Sequence, residues 1–125
     1  MKKIACIGFF IFSGIVHAEW MLFDESQYKF FYVNPKVQWG NSTVKVWVMT
    51  DWKKPIQVDG KAVLSSESLE EFNCSEGRVR TLEVSFYSEN KLTGKVIGST
   101  KKNQPWHATP PRSISETLWR GLCKR

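Results

Sequence analysis

Few side chains in this chain could make or break bonds. Beyond the first eighteen residues there is one histidine, His107, and two cysteines, Cys74 and Cys123. A serine nucleophile needs a histidine beside it to take its proton. His107 could be matched with many serines and acids, but no spacing singles one out, so it reads as a loop histidine beside Trp106. A zinc site takes about four N, S or O ligands at a recurring spacing. One histidine and two cysteines expected to be oxidised do not supply it, and neither a metal nor any other cofactor is expected. The glycines of Gly94-Lys95-Val96-Ile97-Gly98 are too sparse to cradle a phosphate. Asn41-Ser42-Thr43 fits a glycosylation acceptor, and equally the tip of a turn. Catalysis is not expected. What remains is binding chemistry: six tryptophans and eighteen Lys and Arg against twelve Asp and Glu.

The state of the cysteines depends on compartment, and Met1 to Ala18 has the layout of a secretory signal. Lys2 and Lys3 precede an apolar run, Ile4 to Val16, and Val16-His17-Ala18 places small residues around a cleavage point before Glu19. The run falls short of the roughly 20 residues of a bilayer span, so no transmembrane anchor is expected. Cys6 lies too early in the run to be a lipid-attachment site and would leave with the signal. The exported chain, 19–125, is one domain by length. Its two cysteines predict one disulfide. A Cys74–Cys123 bond would close a loop of about 50 residues and stabilise the fold by about 4 kcal/mol. Without Lys2 and Lys3 the chain carries sixteen basic and twelve acidic residues, a formal charge of +4. Charge this mild, together with export, argues against a nucleic-acid partner. The periplasm is the expected compartment, with the outer-membrane surface or secretion as alternatives.

These residues must be positioned mainly by strands, because apolar residues recur every second position more often than at helical spacing. Tyr28 to Val33 and Val37-Gln38-Trp39 read as strands. Gly40-Asn41 reads as a two-residue turn within a hairpin from Lys36 to about Trp52. Lys53-Lys54-Pro55 is expected to break that strand, Asp59-Gly60 to turn, and Ser68 to Cys74 to resume a weaker strand. In Arg78 to Tyr87, Leu82, Val84 and Phe86 share a face opposite Thr81, Glu83 and Ser85, and Leu92-Thr93-Gly94 turns into a last strand, Lys95 to Thr100. One helix is predicted, capped by Ser113 and Glu116 after Pro110-Pro111, with Ile114, Leu118, Leu122, Trp119 and Cys123 on its inner side. The fold class is α+β: an antiparallel sheet of five to six strands with a C-terminal helix packed on it, tied by one disulfide.

Two candidate binding surfaces follow. If Val44, Val46 and Val48 face the core, Trp47 and Met49 stand on the opposite face beside Lys45. They then form an apolar patch with a cationic rim, suited to a homodimer contact, unless a loop or the helix covers them. Trp39, Trp52 and Trp119 read as packing residues. The second surface is basic: Lys53 and Lys54 at a strand end, Arg78 and Arg80 on one strand face, Lys101 and Lys102 in the loop before Trp106. It reads as a solvated rim, or as a cationic edge for anionic glycans, matrix proteins or membrane headgroups.

The order of landmarks resembles the surface-adhesin protein E family of Gram-negative bacteria. It comprises an export signal, Tyr32-Val33-Asn34 closing an aromatic strand, a Val-Lys-Val-Trp strand, Phe72-Asn73-Cys74, Arg80-Thr81-Leu82 through Phe86-Tyr87, the Gly94 turn, Trp106, Thr109-Pro110, Ser113 and a closing cysteine. The resemblance implies a small antiparallel sheet with a C-terminal helix, a disulfide between Cys74 and Cys123, homodimer formation, and binding to host matrix proteins such as vitronectin and laminin. Two features depart from the pattern. The export segment lacks the terminal cysteine of lipoprotein members. Val63 to Asn73 carries Glu67, Glu70 and Glu71 and no Lys or Arg where members are basic, so no host-binding residue is carried over from it. The alternative function is a periplasmic structural, accessory or inhibitor protein sharing the fold without host binding.

Overall fold

The structure, a computed structural model, describes residues 19–124; the export signal read at residues 1–18 lies outside the described residues. Among the described residues eight strands form one antiparallel sheet: β1 (Met21–Glu25), β2 (Lys29–Val33), β3 (Gln38–Trp39), β4 (Thr43–Val58), β5 (Lys61–Asn73), β6 (Arg78–Tyr87), β7 (Val96–Thr100) and β8 (His107–Ala108). The order is β1-β2-β4-β5-β6-β7, with the two-residue strands β3 and β8 pairing β4 and β6. The six strands of the main path agree with the predicted five to six, and one helix, α1 (Ile114–Cys123), follows.

The alternation of β4 decides which face is covered by the helix. Val44, Val46 and Val48 are buried with Phe72, Val79 and Leu118, and Ile114, Trp119 and Leu122 of α1 pack on that cluster. Ser113 caps the helix, its Oγ accepting from Glu116 N at 3.1 Å. The return arm of the capping box departs from the usual pattern: Glu116 Oε1 accepts from Arg112 N, one residue outside the cap, at 2.8 Å. The last turn is bonded to the residue after β5 through Cys74–Cys123, with Cα atoms 5.3 Å apart.

Asp59-Gly60 joins β4 to β5 as predicted. Both residues are left-handed (φ 51° and 78°), as the tight hairpin turn matching strand twist requires. Elsewhere the structure corrects the sequence reading. The β3–β4 turn is Asn41-Ser42, because Gly40 N already bonds Thr43 O at 2.8 Å. Lys53-Lys54-Pro55 does not break the strand: between the pairs Asp51↔Ser65 and Ile56↔Val63, the residues Trp52 to Pro55 bulge opposite Leu64. Pro55 is tolerated because a bulge asks no ladder N–H of it. β5 begins at Lys61 rather than Ser68, its polar run Ser65-Ser66-Glu67-Ser68 paired on both sides. In β6 a register shift admits Leu82 as an extra residue between Thr81↔Glu70 and Glu83↔Leu69, so the simple alternation read there is interrupted. β1 and β8 were not foreseen.

The second face of the sheet is covered at its other end by the β6–β7 connection. This strap crosses the sheet with Lys91 and Leu92 at φ 56° and 60°. Lys91 N donates to Asp51 Oδ1 (2.8 Å), Asn90 Nδ2 to the same oxygen (3.0 Å), and Leu92 N to Ser65 Oγ (2.8 Å). Gly94 allows the strap to turn back. Its φ is 83°, and a Cβ there would stand 2.6 Å from Glu89 Cγ and closer still to Ser88 Oγ. The helix and the strap therefore cover opposite faces at opposite ends.

Candidate functional site

The strap settles the position of Met49. On the face away from Val48 and under this crossing, Met49 is 2% exposed, so it is core and not part of an open patch. Trp47 and Lys45, further along the same face, are half-buried. Lys45 stands opposite Glu71 in the β4–β5 register, and Arg80 stands opposite Glu71 from the other side.

Arg80 is committed inside the fold rather than offered to a partner. Its Nε lies 2.8 Å from Glu71 Oε1, with the two side chains 28% and 9% exposed, and its guanidinium lies 4.4 Å over the Trp106 ring. Lys53 is similarly engaged, its Nζ 2.9 Å from Glu25 Oε2 and 4.7 Å from the Phe30 ring centroid. Arg78, Lys54, Lys101 and Lys102 are exposed. They do not make one basic edge. Lys54 belongs to the bulge of β4 beside β2, whereas Lys101 and Lys102 follow β7 at the other side of the sheet.

The bulge and the start of β2 enclose the largest of the described clefts, about 580 Å³, lined by Gln27, Tyr28, Lys29, Trp52, Lys53, Lys54, Pro55 and Ile56. Local chain geometry builds it. Lys53 N bonds Tyr28 O at 2.9 Å, and Lys29 pairs with Trp52, so the bulged residues remain fixed to β2 while they swing away from β5. Lys29 Nζ is held 5.2 Å from the Phe31 ring and 6.0 Å from that of Trp52. Tyr28 is 66% exposed. No lining side chain among the described residues is a carboxylate. Sequence reasoning named Lys53 and Lys54 but not Tyr28 or Lys29 as site residues. The signal was the twice-used aromatic–lysine pair, Tyr28-Lys29 and Trp52-Lys53.

A second groove, about 360 Å³ and mainly apolar, runs between α1 and the β1–β3 side, lined by residues including Met21, Phe23, Val33, Val37, Leu118 and Leu122. On the helix face, Glu70 accepts from Thr81 Oγ1 at 3.0 and 3.1 Å. Burial pushes its carboxyl pKa up, against the lowering pull of Ser68, Thr81 and the charge of His107. His107 itself is exposed on β8, its Nδ1 3.1 Å from Ala108 O. Among the described residues no group of three or more His, Cys, Asp or Glu could hold a metal ion, and no helix is long and apolar enough to cross a membrane.

The family model for surface-adhesin protein E matches residues 20–124. Three solved structures are similar in fold. Haemophilus influenzae protein E has a TM-score of 0.62 at 14% identity, with 86% of each chain covered. Its crystal form II has a TM-score of 0.65 at 15% identity, covering 86% of this chain and 89% of that one. Protein E from non-typeable Haemophilus influenzae gives 0.60 at 15% identity, covering 89% and 79%. At such identities the likeness is one of fold. No curated protein matches the chain in sequence.

Proposed function

We propose, because the chain belongs to the surface-adhesin protein E family, that it is an exported, non-enzymatic binding module attaching to a host extracellular matrix protein, with vitronectin and laminin the first ligands to test. The exported form is residues 19–125, one domain, located in the periplasm or displayed at the outer surface. Two copies pair as a homodimer in this reading.

The observation that supports the reading is the division of labour among polar side chains. Groups able to do redox or ionic chemistry are engaged within the fold, Cys74 with Cys123 and Arg80 with Glu71. Cationic and aromatic groups, Tyr28, Lys54, Arg78, Lys101 and Lys102, face outward on a sheet braced on both faces. Such a surface binds through screened attraction and aromatic contact rather than transforming a substrate.

The test is binding of residues 19–125 to immobilised vitronectin and laminin across a salt series, beside protease accessibility on intact cells. Saturable binding that weakens with salt, and weakens severalfold in Lys54→Glu or in the Lys101→Glu, Lys102→Glu double variant, is the expected result. Absence of binding at every salt concentration, with the protein shielded inside intact cells, refutes it in favour of a periplasmic accessory role.

A further inference from the structure

We propose that the cleft between the β4 bulge and the start of β2 is a binding site for an anionic oligosaccharide, a sugar chain bearing sulfate or carboxylate groups. This goes beyond attachment to a matrix protein, since the ligand is a carbohydrate and the site is one defined cleft. Either reading can fail without the other.

Size and lining carry the argument. A cleft of about 580 Å³ lies in the range of roughly 300–1,000 Å³ that takes small ligands, enough for a few sugar rings. Tyr28 and Trp52 supply flat apolar faces of the kind on which the C–H face of a pyranose rests, and Tyr28 stands mostly in solvent. The charged lining residues are all cationic, Lys29, Lys53 and Lys54, while the Tyr28 hydroxyl and the Gln27 amide can both donate and accept. A site for neutral sugar must also accept hydrogen bonds from hydroxyls, which carboxylates do best, and no described lining side chain is one. A lining with this cationic excess suits a ligand that brings anionic acceptors, and sulfates or carboxylates on a sugar do so with charge assistance.

One cation is also held ready. Lys29 is parked over the rings of Phe31 and Trp52, whereas Lys53 is engaged with Glu25 and Phe30. The partial ordering of Lys29 before a ligand arrives lowers the cost of binding. Lys53 and Lys54 are both exposed, and the position of Lys54, which has no carboxylate partner in the cleft lining, follows from the bulge that Pro55 helps to form.

The experiment titrates the protein with three tetrasaccharides by calorimetry: one heparin-derived and sulfated, one of the hyaluronan type with carboxylates only, and neutral maltotetraose. Binding of either anionic probe but not the neutral one is expected. Lys54→Glu should weaken it about tenfold by turning attraction into repulsion. Tyr28→Ala should weaken it by a similar factor, about tenfold, as truncating an exposed aromatic anchor does. Both residues are exposed, and unchanged urea midpoints confirm that the variants remain folded. The Lys101→Glu, Lys102→Glu double variant, with its charges on another side of the sheet, should stay within about twofold because distant charges are screened. Equal binding of maltotetraose, no binding of either anionic probe at millimolar concentration, or loss in the Lys101/Lys102 variant with none in Lys54→Glu and Tyr28→Ala would each overturn the assignment.

Discussion

Replacing Arg80 by methionine keeps most of its apolar stem and removes its guanidinium, and the structure fixes what that costs. Glu71 loses the Nε partner 2.8 Å from its Oε1 while its side chain stays 9% exposed. Removing one partner of a fully buried pair costs about 3–5 kcal/mol. Two features lower the figure here. Arg80 is 28% exposed, and Lys45, opposite Glu71 in register, leaves a counter-charge nearby, so about 2 kcal/mol is the appropriate loss. The guanidinium also lies 4.4 Å over Trp106, a contact worth about 0.5–1 kcal/mol. Arg80→Met should therefore destabilise by about 2.5–3 kcal/mol, a drop in urea midpoint of roughly 1 M or more. Adding Glu71→Gln removes the stranded charge and should recover about half of the loss, so the two effects do not add. Urea unfolding of the wild type, both single variants and the double variant measures the cycle. A cost below about 1 kcal/mol for Arg80→Met, or strict additivity, would refute the claim that this pair is a buried brace rather than a surface contact.

Reducing the Cys74–Cys123 bond, whose partners are 49 residues apart, should lower stability by about 4 kcal/mol through the freed entropy of the unfolded chain; urea curves with and without reductant test this, and a shift under about 1 kcal/mol would mean that α1 is held by packing alone. Glu70 gives a pH dependence. Its pKa is raised by burial, so the folded state holds a proton that the unfolded state has already lost. Stability must then fall as pH rises from the unfolded pKa through the folded one, and remain lower above it. Glu70→Gln should raise the urea midpoint at pH 7 and flatten that slope; a variant with an unchanged slope would place the pH dependence elsewhere.

Local signals in the sequence were legible where the chain obeys one rule at a time. Val44, Val46 and Val48 recur at every second position and are buried, Asp59-Gly60 turns, and Ser113 caps a helix whose Leu118 reaches the core. The resemblance to protein E, read from landmark order, agrees with the family match across residues 20–124. What stayed hidden was non-local. Nothing near Met49 announces that Asn90 to Leu92 will cross over its face, nor that Ser65 will be buried by bonding to the same crossing. β1 carries a register shift at Phe23 that spoils its alternation. Proline at 55 looked like an end because strands rarely hold proline in their interior, and the bulge it occupies is tied on its other side to β2, by Lys53 N on Tyr28 O. That bulge also divides the cations: a list of lysines and arginines reads as one basic edge, whereas the fold separates them by strand order.

The bond from Cys123 to Cys74 makes the two ends of the domain mechanically unequal. A pull applied beyond Cys123 bypasses the helix and enters the sheet through two sulfur atoms at the end of β5, a strand hydrogen-bonded along both sides. Sliding that strand out requires many ladder bonds to fail together. A pull applied ahead of Met21 meets β1, which among the described residues is an outermost strand paired only with β2, and can open its hydrogen bonds one after another like a zip. Under tension between a tether and a ligand, the amino-terminal strand is the part that yields first, while the load path through the carboxyl-terminal end stays covalent into the middle of the fold.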